Sequence, residues 1–220
     1  MKVIELKKSV TESNDRDAEV LRRELKGRDI FLINLMSSAG SGKTTLLSRT
    51  ISDLAGRVRI GVMEADIASD VDAKRIASLG ADSIQVHTDG MCHMDAGMTR
   101  AGLDALENNG SRIVFLENIG NLICPAEFDT GAHKKVMILS LPEGDDKPLK
   151  YPLMFRESDA LVITKIDAAP YFNFDLEAAA ARARALNPDI AVFPVSAKTG
   201  EGMKAWEDWL ISEWEDWRDA

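Results

Sequence analysis

The sequence predicts an α/β fold: a mostly parallel β-sheet, flanked by helices on both faces, of the P-loop NTPase kind. Two observations carry the prediction. Short apolar or β-branched runs alternate with helical patterns, the rhythm of strand–helix–strand units and hence of a parallel sheet. One of those runs, residues 30–36, stops at Ser37 and passes through Ser38-Ala39-Gly40-Ser41-Gly42-Lys43-Thr44-Thr45 into a helical pattern at Leu46-Leu47. Strand, glycine loop and helix in that order are the context a P-loop requires.

Composition sets the outer bounds. The chain has 220 residues, 45% hydrophobic and 29% charged. That suits one globular domain (28–220) preceded by a short lead and an amphipathic helix (1–27). A net charge of −9 argues against a nucleic-acid surface or an anionic-membrane surface. No apolar run approaches the ~20 residues a membrane span needs, and the start has no signal-peptide pattern. Two cysteines without export features suggest reduced thiols and a cytoplasmic location.

The elements follow in order. Residues 1–10 read as an extended or frayed lead. Ala18, Leu21 and Leu25 keep helical spacing among charges over 13–26, and Gly27 ends the pattern. After the P-loop a helix runs from Thr44 to about Leu54, with Gly56 as its stop. Residues 58–63 form the second strand, leading into Glu64, Asp66, Asp70 and Asp72. Carboxylates just past a parallel strand lie where nucleotide and metal ligands gather. Ser69 or Asp70 also suits the cap of a helix holding Ala73, Ile76 and Leu79. Residues 83–86 form a strand and 96–107 a helix. The buried strand at 112–116 ends in Glu117-Asn118-Ile119-Gly120. Residues 124–133 read as a loop, 136–141 as a strand, and 142–152, rich in Pro, Gly and charge, as an exposed loop. A strand at 160–163 runs into Thr164-Lys165-Ile166-Asp167. Asn173 or Asp175 caps an alanine-rich helix that ends before Pro188. Residues 190–195 form the last strand. The C-terminal helix carries all four tryptophans, and the spacing of Trp206, Trp209, Leu210 and Trp214 reads as packing.

The loop chemistry is specific. Backbone N–H groups at Gly40, Ser41, Gly42 and Thr45 would face phosphate oxygens, helped by the helix N-terminus. Lys43 would reach the β- and γ-phosphates, and Thr44 would place its hydroxyl on Mg²⁺. The usual pattern opens with glycine five residues before Gly42, where Ser37 stands. Glu117, with Gly120 three residues later, has the form of a γ-phosphate sensor: a carboxylate ordering metal-bound water and a glycine N–H on the terminal phosphate. Asp167 can accept from both N1–H and N2–H of guanine, a donor pair adenine lacks, while the Lys165 stem lies along the base. Ser196-Ala197-Lys198 matches a loop offering a backbone N–H to guanine O6. In this order after a P-loop, these signals favour GTP over ATP. Cys92-His93 and Cys124 each lie near a switch segment, and thiolate with imidazole suits Zn²⁺, Ni²⁺ or Cu rather than Mg²⁺. A closed structural zinc site takes four ligands, so a complete site would draw on two copies of the chain. His87 and His133 read as structural.

Four stretches together resemble the HypB family, the GTPases of nickel–iron hydrogenase maturation: residues 37–47, 92–96, 117–125 and 143–152. The similarity extends from about Ile30 to the C-terminal helix, and a serine at the first P-loop position is normal in that family. The resemblance implies a slow, Mg²⁺-dependent GTPase that couples GTP hydrolysis to nickel delivery. GTP or GDP and Mg²⁺ would bind at Lys43, Thr44, Asp66 and Glu117, with Asp72 as a helper, and Lys165 and Asp167 would read guanine. Cys92, His93 and Cys124 would hold Ni²⁺ or Zn²⁺ at a homodimer interface, and Lys150 would contact nucleotide in the partner protomer. The implied partners are a HypA-like nickel chaperone and the hydrogenase large-subunit precursor. Some members carry an N-terminal Cys- or His-rich segment, which this sequence lacks. Some carry further histidines where Gly97 and Ala101 stand here. Competing readings are a urease-type nickel GTPase, whose motif generally has Pro between Cys and His, a GTP-gated scaffold with a structural zinc, and a small-molecule kinase.

Overall fold

In the computed structural model, residues 6–66, 76–88 and 90–220 are described, apart from the side chains of residues 6–10 and 66. Asp72, the Ser69 or Asp70 cap, Ala73 and the Asp66 side chain lie outside that description.

Helix α1 (Leu6–Gly27) leads into β1 (Phe31–Ser37) and α2 (Lys43–Leu54). Then come β2 (Ile60–Asp66), β3 (Asp82–His87), α3 (Ala96–Ala105), β4 (Ile113–Gly120) and a single helical turn, α4 (Cys124–Glu127). The second half contains β5 (Lys134–Ser140), α5 (Lys147–Lys150), α6 (Pro152–Arg156), β6 (Ala160–Thr164), α7 (Leu176–Leu186), β7 (Ala191–Pro194) and α8 (Met203–Asp219). Among the described residues seven strands form one sheet in the order β3-β2-β4-β1-β5-β6-β7, and each of these pairings is parallel. This is the α/β P-loop architecture expected. The order reverses around β1, so the crevice at its carboxyl end is where such a sheet takes its ligand.

Alternation along β1 builds the two layers. Phe31, Ile33 and Leu35 pack with Leu47 and Ile51 of α2 and with Trp206 and Leu210 of α8. Leu32 packs on the other face with Leu21 and Leu25 of α1 and Leu103 of α3. Met36, further along that face, meets Met154 and Phe155 of α6 and Ala179 and Ala183 of α7. The fully buried Trp206 donates from Nε1 to Thr50 Oγ1 at 3.0 Å, satisfying its polar edge inside the core.

Three local expectations need correction. Helix α1 begins by Leu6, well inside the segment read as an extended lead. Residues 124–133 are not all loop, because Cys124–Glu127 makes a turn with Pro125 where its missing N–H is harmless. Residues 142–152 are largely helical. Pro148 and Pro152 occupy first turns, Glu143 closes a capping box with Ser140, and α6 buries Met154 and Phe155.

Candidate functional site

The carboxyl ends of β1, β2 and β4 open a cleft of about 560 Å³, lined by the P-loop, Glu64, Ala65, residues 117–120 and Lys165. Gly40 (φ 74°) and Gly42 (φ 96°) take left-handed conformations that few other residues adopt, and Gly42 precedes the first turn of α2. The Ser37 hydroxyl explains the missing glycine. It accepts from Lys43 Nζ at 2.9 Å and from Ser41 Oγ at 2.7 Å, and it donates to the Ser38 backbone oxygen at 2.7 Å. The serine therefore organises the loop from inside.

Thr44 Oγ1 donates to Glu117 Oε1 at 3.0 Å. The β2–β4 register sets Glu64 directly opposite Glu117, and both side chains are only 5% exposed. Two buried carboxylates and a threonine hydroxyl at the mouth of a phosphate cradle make a hard-oxygen set that fits Mg²⁺. From the sequence Glu64 was one of four carboxylates expected near ligands, and it received no role of its own. Its position one strand from the switch glutamate becomes visible only once the register is known. The backbone of Asp66 sits at the last rung of β2, opposite His87.

The second half of the sheet supplies the expected base-reading residues. Thr164 Oγ1 donates to the Ser41 backbone oxygen at 2.6 Å, and Lys165 Nζ donates to the Gly40 oxygen at 2.7 Å. Thr164 thus braces the P-loop. Lys165 has φ 64°, which turns the chain sharply into the segment holding Asp167. Ser196 is fully buried and its Oγ donates to Asp167 Oδ1 at 2.7 Å, aiming the exposed carboxylate. Ala197 and Lys198 follow on the same loop. Lys150 lies outside the cleft lining, exposed on α5 and paired with Asp146 at 2.6 Å.

Cys92, His93 and Cys124 come together at a third place. One potential ligand atom from each lies within 4.8 Å of the others. The two Sγ atoms are 3.0 Å apart, and Cys92 Sγ is 3.8 Å from His93 Nδ1. The cysteines are free thiols. Their contact, then burial, pushes the Cys124 thiol up, and burial pulls the His93 imidazole down. His93 stacks on Phe128 with ring centroids 3.8 Å apart. Neutral imidazole and two sulfurs form a soft donor set that suits Ni²⁺ or Zn²⁺ and leaves coordination positions open. Phe128 carried no signal in the sequence. Asp95, beside the cluster, caps α3 by accepting from Met98 N at 2.8 Å. His133 packs between Phe31 and Trp217 and accepts from Leu32 N at 3.0 Å, so its role is structural.

The chain is similar to known proteins over most of its length. Residues 31–194 match the family model described as CobW/HypB/UreG, nucleotide-binding domain. The hydrogenase maturation factor HypB of Azotobacter chroococcum is 46% identical over 210 residues, covering 95% of this chain and 68% of that protein. Its counterpart from Escherichia coli K12 is 44% identical, covering 96% of this chain and 73% of that protein. The crystal structure of HypB from Helicobacter pylori in complex with nickel superposes with a TM-score of 0.88 at 33% identity, covering 93% of this chain and 96% of that one.

Proposed function

The chain belongs to the HypB family of hydrogenase maturation factors, and from that premise we propose that it hydrolyses GTP and uses its nucleotide state to control nickel held at Cys92, His93 and Cys124. One observation carries the reading. A hard-oxygen site and a soft thiolate–imidazole site share one strand exit: Glu117 touches Thr44 in the phosphate cleft, and Cys124 follows Gly120 by four residues. Whatever orders Glu117 to Gly120 around a terminal phosphate also bears on where Cys124 sits. The nickel-bound relative from Helicobacter pylori supports nickel as the cargo.

In the cleft, Lys43 and the loop N–H groups hold phosphates, Thr44 and Glu117 hold Mg²⁺ with Glu64 or Asp66, and Asp167 aimed by Ser196 selects guanine. Bound Mg²⁺ would neutralise charge on the transferring phosphoryl group. The protein's own part is positioning and electrostatics, which accords with slow turnover. At the metal cluster three ligands leave room for a partner's ligand, so we place a homodimer, a HypA-like chaperone and the hydrogenase precursor there, in the cytoplasm. Among the described residues no helix is long and apolar enough to cross a membrane.

Coupling of binding is reciprocal, so nickel must alter nucleotide affinity by the same factor by which nucleotide alters nickel affinity. The test measures Ni²⁺ content, affinity and transfer to a chelator with GDP and with a slowly hydrolysed GTP analogue, alongside molecular size. A several-fold difference between nucleotide states is expected. Equal behaviour in both states, with zinc held tightly throughout, would leave a scaffold with a structural metal in place of this function.

A further inference from the structure

The three metal-site side chains leave the sheet from strands that are not neighbours. Cys92 and His93 follow β3, Cys124 follows β4, and β2 runs between them. Two strand spacings set those exits roughly 9–10 Å apart, yet the two sulfurs lie 3.0 Å apart. The sheet ladder does not itself bring the loops together.

Helix α1 touches both loops. Asn14 Nδ2 donates to the Asp129 backbone oxygen at 2.8 Å, and Asn14 Oδ1 accepts from Ala96 N at 3.0 Å. One amide thus spans the segment just after His93 and the segment just after Cys124. Two turns along α1, Arg22 donates through both terminal nitrogens to the Asp129 carboxylate, at 3.0 and 2.7 Å. Asp129 follows Phe128, the ring stacked on His93. The turn continues through Gly131, whose φ is 77° and where an added Cβ would lie 2.8 Å from Leu21 Cδ2 of α1. None of the residues lining the phosphate cleft belongs to α1.

We propose that α1 is a positioning element for the metal ligands: Asn14 sets the approach of the Cys92–His93 loop to the Cys124 turn, and Arg22 locks Asp129 so that Phe128 holds the His93 ring. The proposal rests on reading Cys92, His93 and Cys124 as metal ligands. Groups hydrogen-bonded directly to a metal's ligands typically carry 10–100-fold of its affinity; Asn14 and Arg22 act through the loops that carry the ligands, so each is expected to carry a several-fold share.

The test titrates Co²⁺ and Ni²⁺ into the full chain, following the thiolate-to-metal absorption band, with chelator competition for affinity. A band present in the unmodified chain and weakened to about half or less in Cys124→Ser, which keeps only the Cys92 sulfur, is expected. Its absence, or its full intensity in that variant, overturns the ligand reading and the proposal with it. With the band established, Asn14→Ala and Arg22→Met should each bind several-fold more weakly, toward the low end of the 10–100-fold carried by direct ligand partners, and show an altered Co²⁺ ligand-field spectrum. Arg28→Ala removes contacts to Asp104 and the Leu103 oxygen on α3, far along the chain from both loops, and should leave affinity and spectrum unchanged. Thermal melting of each metal-free variant separates folding from positioning, and if Asn14→Ala does not fold, Arg22→Met carries the comparison. Wild-type affinity and spectrum in folded Asn14→Ala and Arg22→Met would overturn the proposal. So would an equal loss in Arg28→Ala.

Discussion

Replacing Gly120 by alanine should cripple hydrolysis through a contact fixed by two backbones. Gly120 ends β4 pressed against the P-loop: a Cβ there would lie 2.7 Å from Ala39 N, 2.9 Å from Ala39 Cα and 3.1 Å from Ala39 Cβ. Its φ is not among the positive values, so alanine suits the backbone and the penalty is steric. Ordinary contact begins near 3.4 Å, so the switch must withdraw from the P-loop by about 0.7 Å. Overpacking of this kind costs about 1–3 kcal/mol, which in a chain this long lowers Tm by roughly 2–12 °C. A displacement approaching 1 Å where reactants are positioned costs on the order of 10²-fold in rate. Gly120→Ala is therefore expected to lose about 10–100-fold in single-turnover phosphate release while still binding GDP. Ala39→Gly added to it removes only the 3.1 Å contact and leaves the two closer ones, so activity should stay low. Wild-type turnover in Gly120→Ala, or full recovery in the double variant, would refute the reasoning, because the P-loop backbone would then not be the obstacle.

Two other expectations follow from single side chains. Ser196→Ala removes the donor that aims Asp167; with the carboxylate exposed, GTP affinity should fall about tenfold and the preference over ATP should narrow, measured by nucleotide competition. Burial pulls the His133 imidazole from its ordinary 6.5 down to about 4. Between those values the unfolded chain binds the extra proton, so stability is complete above pH 6.5 and declines as pH falls toward 4, by up to about 3 kcal/mol. Urea unfolding at pH 7.5, 5.5 and 4.5 should show that decline shrink in His133→Gln; an identical pH dependence in both proteins would rule the assignment out.

Local chemistry made much of the molecule legible. A Gly-Lys-Thr loop after an apolar run, a capping Asp175, and tryptophans at helical spacing are signals contained within a few residues, and each lies where it was expected. Residues 142–152 show the opposite case. Their prolines, glycine and charges read as a loop because composition reports only local preference. Their helices depend on partners far away in sequence: Glu143 accepts from Ser38 in the P-loop, and Asp145 pairs with Arg182 of α7 at 2.6 Å. Asn14 was hidden for the same reason, since a polar residue on an amphipathic helix looks like solvated surface until two loops arrive on it.

The errors in strand length share a cause that bears on function. The apolar pattern ends at Met63 in β2 and Leu116 in β4, yet the ladders continue to Asp66 and Gly120. Hydrophobic periodicity marks where a strand is buried by its neighbours, whereas pairing requires only a backbone. The extra rungs therefore mix core residues, such as Ala65 and Ile119, with polar ones that the sheet hydrogen bonds hold in place. Glu64 and Glu117 occupy such rungs side by side. A carboxylate there is fixed as firmly as a core residue while facing a cleft, which is what an electrostatic site needs so that its dipoles are not reorganised during reaction. Cys92 and His93 lie beyond the last rung of β3, and Cys124 lies beyond that of β4. There no ladder fixes them, so their geometry falls to caps, stacking and α1. The oxygen site is rigid by register and the sulfur site is held by side-chain braces. A shift at the end of β4 would therefore move Cys124 more readily than it would move Glu117.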